Sequence, residues 1–166
     1  LLDVTKVETG TLLLNKQHFA IDELVKGIAE DMQLTSPTHR IVIAEDTRQI
    51  VLADSDRISQ VLINYITNAI KYSPKADKII IAIRGTEKEV IVSVQDFGIG
   101  ITSHDHVKIF ERFYRVQGKD EQTYPGFGIG LFIVQEIIGR HNGRTWVESE
   151  KDKGSVFYFS LPIHSK

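Results

Sequence analysis

An amphipathic helix that stops at a proline runs straight into two β-branched strands. That succession argues against a strict alternation of strand and crossover helix. Ile58, Val61, Leu62, Tyr65, Ile66, Ala69 and Ile70 recur at helical spacing. Ser73-Pro74 ends the run, because proline pushes its predecessor out of the helical region. Asp54 or Ser55 caps the start, with Asp56 in the first turn favouring the helix dipole. KIIIAIRG and EVIVSVQD then predict a hairpin joined near Thr86-Glu87. Hairpins mixed with helices predict an α+β layered sandwich, one sheet backed by helices.

The other segments read in the same way. LLDVTKVETG (1–10) carries Leu1, Val4 and Val7 ahead of Gly10, which predicts the last turns of a helix with a glycine stop. TLLLNKQHFAI predicts a short strand. AIDELVKGIAEDMQL predicts a helix through Ile21, Leu24, Val25, Ile28 and Met32. HRIVIAE (39–45) and QIVLA (49–53) predict a pair of strands around Asp46. Leu131, Val134, Ile137 and Ile138 place a helix over about 128–141, and RTWVESE and SVFYFSLP close the chain as strands. Between Thr102 and Pro125 the only apolar patch runs from Ile109-Phe110 to Phe113-Tyr114. Irregular loops beyond ~12–15 residues are uncommon unless functional or disordered.

Composition narrows the classes. The 166 residues fit one domain with a short appendage, enough to cover ~70% of the unfolded surface. Acidic and basic residues nearly balance, 22 against 20, with no basic stripe interleaved with aromatics, so no nucleic-acid partner is expected. Without cysteine there is no disulfide framework and no thiolate metal site. No apolar run approaches the ~20 residues that cross a bilayer, and no signal peptide is present, so no membrane contact is expected. The chain starts at Leu1 in mid-pattern, as an excised piece of a longer protein would.

Three segments carry candidate chemistry. Asn64, Asn68 and Lys71 stand at i, i+4 and i+7 and line one helix face. Amide oxygens beside a lysine can hold a hydrated Mg²⁺ and a phosphate, since magnesium takes oxygen ligands and keeps waters; the plain alternative is a solvated polar face. DFGIGI (96–101) follows a strand that ends at Gln95. Gly98 and Gly100 permit a tight turn and close approach of a flat ligand. Asp96 can accept from an adenine amino group, where guanine offers only another acceptor; the alternative is a glycine turn with a capping aspartate. The letters Asp96-Phe97-Gly98 also mimic a eukaryotic-type protein-kinase motif, but the HRD and N-terminal glycine-rich loops that reading requires are missing. GFGIGL (126–131) opens a helix whose exposed N–H groups suit phosphate, or it is a hinge. The 102–125 stretch becomes a mobile cover, with Lys108, Arg112 and Arg115 for charge and Phe110 and Phe113 as anchors, unless it is a simple surface loop.

DSDRISQVLINYITNAIKYSP, DFGIGI, IFERFYR, GFGIGLFIV and GSVFYFSLP together resemble, in order and spacing, the catalytic ATP-binding domain of bacterial sensor histidine kinases. That superfamily includes DNA gyrase B, mismatch-repair MutL and a heat-shock chaperone. The resemblance covers the chain from about Thr11. It makes residues 1–10 the tail of a helical dimerisation and phosphoacceptor domain, and 11–166 the catalytic domain. It implies a two-layer α/β sandwich of the Bergerat type, with about five mostly antiparallel strands, three helices and a mobile ATP lid. By position it makes Asn68 the magnesium ligand with Asn64 beside it. Lys71 and Tyr72 reach the phosphates, and Asp96 binds the adenine amino group. Gly98, Gly100 and Ile101 shape the base pocket. Tyr114 and Arg115 approach from the lid, Gly126, Gly128 and Gly130 cradle the phosphates, and Leu131 contacts the nucleotide. Asn64, Lys71 and Arg115 are the catalytic set. Phe127, Ile129 and Val156 depart from the family pattern.

The resemblance implies transfer of the γ-phosphoryl group of Mg²⁺-ATP to a histidine upstream, then to a response-regulator aspartate. None of the six histidines fits the acceptor pattern. His104 alone precedes an acid, Asp105, but Ile109 stands where the family has proline. His104-Asp105-His106 is expected to be a solvated loop, and His141-Asn142-Gly143 a turn before a strand. A hydrolysing relative, as in the gyrase and MutL branch, carries glutamate one turn before the magnesium asparagine; here that position is Asn64, an amide without useful basicity. A nucleotide sensor that has lost catalysis is a third reading, with Phe127 as its support. The expected setting is cytoplasmic, with this piece monomeric and the whole protein a homodimer.

Overall fold

The computed structural model describes residues 13–106, 108–111 and 129–163. In chain order the elements are β1 (Gln17–Ala20), α1 (Ile21–Thr35), β2 (Arg40–Glu45), β3 (Ile50–Ala53), α2 (Ser55–Lys71), β4 (Lys78–Gly85), β5 (Glu89–Asp96), the short α3 (Ser103–His106), α4 (Ile129–Arg140), β6 (Thr145–Glu150) and β7 (Gly154–Pro162). Five strands form one sheet in the order β2-β4-β5-β7-β6, with only β2–β4 parallel. β1 and β3 form a separate antiparallel ribbon. The three long helices and the mixed, mostly antiparallel five-stranded sheet are as expected.

Two details differ from the sequence reading. Only Gln17–Ala20 of TLLLNKQHFAI is strand among the described residues, and Leu13 is exposed. HRIVIAE and QIVLA are both strands, but they do not pair with each other. β2 runs parallel to β4, Ile41 beside Ile79, while β3 returns to β1, Val51 beside Phe19. Periodicity reports each strand's faces and says nothing of its neighbour. The glycine stop expected at Gly10 lies outside the described residues.

α2 organises the core. Asp54 caps it, its Oδ1 accepting the N–H groups of Asp56 (3.1 Å) and Arg57 (3.3 Å), a contribution of about 1 kcal/mol. The second carboxylate oxygen accepts the Asn15 N–H at 2.9 Å and ties the incoming chain to the helix. Ile58, Val61, Leu62, Tyr65, Ile66 and Ala69 are buried, and full burial of each large aliphatic side chain stabilises by roughly 1.5–3 kcal/mol. Tyr65 donates to the Tyr158 carbonyl at 2.8 Å and packs on the rings of Phe157 and Phe159. α2 therefore lies across β7, and its C-terminal end meets the end of β5, where Tyr72 touches the DFGIGI turn.

On β5 and β7 the inward residues Val90, Val92, Val94, Phe157, Phe159 and Leu161 are buried against the helices. The outward row stays half-exposed and carries Trp146 stacked on Tyr158, with the Arg144 guanidinium over the indole. No helix among the described residues is long and apolar enough to cross a membrane.

Candidate functional site

Asp96 ends β5 on the buried side of the sheet and is only 3% exposed. Its Oδ1 accepts the Gly98 N–H at 2.9 Å. Loss of hydration pushes its carboxyl up to about 6, against smaller opposing effects of the Gly98 and Ser155 N–H groups and of His39. A buried carboxylate with acceptor capacity to spare is costly unless a donor reaches it.

That carboxylate lines a narrow cavity of about 20 Å³, partly open to solvent, with Tyr72, Ile99, Gly100, Ile101, Ile109, Leu131, Ser155 and Phe157. One anionic acceptor in a mainly apolar lining suits a flat ring that presents a hydrogen-bond donor. A wider, open groove between α1 and β2, lined by Lys26, Leu34 and Ile43 among others, contains none of the residues singled out from the sequence.

The DFGIGI turn is gripped on both sides. A β-carbon on Gly98 would meet the Tyr72 carbonyl oxygen, and the Ile99 N–H donates to that same oxygen at 3.1 Å. Gly100 has φ +70°, and a β-carbon there would lie 2.0 Å from the Glu150 carbonyl oxygen. The Asp152 N–H donates to the Ile99 carbonyl at 2.6 Å. The close approach that these glycines allow is thus first of all that of the chain's own backbone. The Ile101 N–H donates to Ser149 Oγ at 2.7 Å, and Ser149 donates to the Gly154 carbonyl at 2.9 Å. Ser149 Oγ also lies 2.7 Å from Ser155 Oγ.

The polar stripe of α2 faces the start of α4. Asn64 Nδ2 donates to the Gly130 carbonyl at 3.4 Å, and Leu131, one residue on, closes the cavity. Asn68 and Lys71 are half-buried and continue the stripe towards Tyr72. The Asn68 side chain makes no hydrogen bond among the described residues, which leaves its amide oxygen able to ligate a cation. Among the described residues no three His, Cys, Asp or Glu side chains cluster as a protein-only metal site would require. Magnesium, held by few protein oxygens plus phosphate and water, fits this donor set.

Tyr72, Asp96, Gly100, Ile101 and Leu131 thus meet in one cavity, with Gly98 pinned under Tyr72, while Asn64 and Gly130 touch beside it. Tyr114, Arg115, Gly126 and Gly128 lie outside the described residues, as do Arg112, Phe113 and Phe127. Phe110 is buried edge-on against Phe157, and Lys108 is exposed. Asp105 is buried and accepts from Thr102 Oγ1 at 3.1 Å, and His106 Nε2 donates to the Ile101 carbonyl at 3.0 Å. Those two residues anchor the chain after DFGIGI, where a solvated loop was expected. Asn142, at φ +63°, makes the expected turn before β6.

Sequence reasoning missed Ser149, Ser155, Ile109 and Phe157. Strand alternation held a signal for two of them. Val156 pairs with Gln95 on the outer face, so Ser155 and Phe157 point inward. The departure at Val156 therefore lies on the side away from the cavity.

The family model described as "Histidine kinase-, DNA gyrase B-, and HSP90-like ATPase" matches residues 53–165. The sensor histidine kinase WalK of Bacillus subtilis is 35% identical over 166 residues, covering 98% of this chain and 27% of WalK. The solved catalytic domain of histidine kinase ThkA, in a nucleotide-free form, is 30% identical with a TM-score of 0.76, covering 90% of this chain and 98% of that one. In its complex with response regulator protein TrrA, ThkA is 27% identical with a TM-score of 0.77, over 98% of this chain and 47% of that one. Full-length ShkA, solved with AMPPNP, is 28% identical with a TM-score of 0.83, over 99% of this chain and 35% of that one. The chain spans well under half the length of the curated relatives it matches, 23% to 43%.

Proposed function

Because the chain belongs to the histidine kinase-, DNA gyrase B- and HSP90-like ATPase family, we infer that its cavity takes the adenine of Mg²⁺-ATP and that it serves as a histidine-kinase catalytic domain. The observation that carries this reading is Asp96, a carboxylate buried in a mainly apolar cavity next to the polar stripe of α2. An adenine amino group satisfies the unused acceptor capacity of Asp96. The triphosphate then extends along Asn68 and Lys71 towards the N-terminal end of α4, where the helix dipole favours an anion.

The reaction is an in-line displacement. A histidine nitrogen of the upstream domain forms a bond to the γ-phosphorus, the bond from that phosphorus to the β,γ-bridging oxygen breaks, and ADP leaves with the electron pair. Phosphoryl transfer needs little covalent help from the protein, so this chain supplies position and charge. Lys71 and Arg115 offset the phosphate charge, Asn64 lies beside the phosphates, and Tyr72, Tyr114, Gly126 and Gly128 complete the grip. A magnesium ion held by Asn68 would neutralise phosphate oxygens when bound.

Residues 1–10 are read as the end of a helical dimerisation domain and 11–166 as the catalytic domain. The partners are that upstream domain and a response-regulator receiver domain, the working protein is a homodimer, and this portion operates in the cytoplasm. Hydrolysis is disfavoured because Asn64, at the water-activating position, is an amide engaged with Gly130. Calorimetric titration with ATP and GTP, with and without Mg²⁺, tests the reading. ATP should bind at least tenfold more tightly than GTP, and Asp96→Ala should abolish the preference. Equal affinities, or rapid multiple-turnover hydrolysis by this chain alone, would refute it.

A further inference from the structure

His39 immediately precedes β2, is 4% exposed, and lies far in sequence from every residue of the cavity. Its Nε2 stands 2.8 Å from the Ser73 carbonyl oxygen. A carbonyl only accepts, so this nitrogen carries the proton. Nδ1, at 2.8 Å, pairs with the Thr38 hydroxyl. Ser73 Oγ, whose proton goes to the Ala69 carbonyl, lies 3.2 Å from the same Nε2. The ring is held at both nitrogens. Gln33 fixes the backbone around it, with Nε2 donating to the His39 carbonyl at 2.9 Å and Oε1 accepting the Ile41 N–H at 2.8 Å.

What the ring grips is the seat of the base pocket. Ser73 is fully buried and is the first residue beyond Tyr72. The Tyr72 carbonyl accepts the Ile99 N–H and is the surface on which Gly98 packs. Gly98 in turn donates to Asp96. A continuous run of hydrogen bonds and backbone contacts therefore joins His39 to the carboxylate, through Ser73, Tyr72 and Gly98. Remove the imidazole and the buried Ser73 carbonyl loses its side-chain donor, so the Tyr72–Ser73 peptide is free to shift under the turn.

We propose that His39 is a positioning residue for the purine end of the site, locking the Tyr72–Ser73 segment on which the Asp96 turn is seated. This rests on the nucleotide reading above. The effect belongs to base recognition, because the His39 ring bonds to Thr38 and to Ser73, next to Tyr72 at the end of α2 that meets the Asp96 turn.

The fold supplies its own control. His141 is equally buried and grips the opposite end of α2, accepting the Asp54 N–H at 3.0 Å and donating through Nδ1 to the Ile137 carbonyl at 2.8 Å. ADP titration should show His39→Ala binding about tenfold more weakly, the upper end of what one lost hydrogen bond commonly costs. The factor by which Mg²⁺ strengthens binding should not change. His39→Gln places an amide nitrogen where Nε2 stood and should recover most of the loss. His141→Ala should lower the melting temperature comparably and leave ADP affinity at the wild-type value.

Wild-type affinity in His39→Ala, no recovery in His39→Gln, or equal weakening in His141→Ala would each overturn the proposal. If His39→Ala does not fold, Thr38→Val removes only the Nδ1 partner; a smaller loss of the same sign supports the role, and no loss overturns it. Wild-type protein that binds no ADP overturns the nucleotide reading, and this inference with it.

Discussion

A β-carbon on Gly98 would lie 1.9 Å from the Tyr72 carbonyl oxygen, so the two backbones touch with no room for a side chain. The obstacle is main chain at a helix end and cannot rotate away. Gly98→Ala should cost roughly 2–3 kcal/mol of stability and weaken ADP binding at least tenfold by lifting Asp96. Gly27 is the contrast: it sits exposed in α1 with nothing within 4 Å of an added β-carbon. Gly27→Ala should stabilise by up to ~1 kcal/mol through helix propensity. Thermal melts and titrations of the two variants check both.

Asp96 sets a pH dependence in the nucleotide-free chain. Its carboxyl, pushed up from 3.8 to about 6 by burial, holds its proton more tightly folded than unfolded. The stability this provides is complete below pH 4 and is lost as pH rises to 6. Above that, the buried charge costs roughly 3 kcal/mol. Asp96→Asn should therefore melt several degrees higher than wild type at pH 7.5, with the gain gone at pH 4. The same variant should lose discrimination between ATP and GTP.

Binding should follow the same group with opposite sign. If adenine donates to the ionised carboxylate as proposed, ADP affinity should rise with pH up to about 6 and level off above it. Asp96→Asn should flatten that profile.

His141 acts the other way on stability. Burial lowers it from 6.5, with a smaller opposing effect of the Ile137 carbonyl. The folded state resists the proton, so its stability contribution is whole above pH 6.5 and is lost as acid protonates the ring. His141→Gln keeps an acceptor for the Asp54 N–H and cannot gain that charge. Denaturant melts should show the variant's deficit at pH 7.5 shrinking as pH falls below 6.5.

Asn68→Ala should remove the gain in ATP affinity that Mg²⁺ gives while leaving metal-free ADP affinity within about twofold, since its proposed role is to hold the metal and not the base. Calorimetry with and without Mg²⁺ reads this directly. An unchanged Mg²⁺ increment would move the metal to other ligands.

Much of the site was legible because its signals are local. Asp54 capping, the Asn64-Asn68-Lys71 line, the arrest at Pro74 and the glycines after Asp96 each follow from spacing along a few residues. Strand alternation could also have turned Ser155 inward, but the sequence gives no reason to attend to it until Asp96 stands beside it. Ser149 and His39 carry no such signal. A serine or histidine at a strand edge looks the same whether it faces water or holds a turn 48 or 34 residues away.

The sequence alone determined which segments become the long helices and the strands of the main sheet and which face of each is apolar, because backbone sterics and side-chain periodicity act within a turn or two. It also determined the order of the motifs that mark the family. Only the tertiary structure decided that β2 joins β4 while β3 returns to β1. It also decided that Asp96 loses its water and that Tyr72, Ser73 and His39 lock together beneath it. Pairing, burial and a shifted carboxyl all depend on groups distant along the chain, and such contacts acquire an energy only once the core has closed.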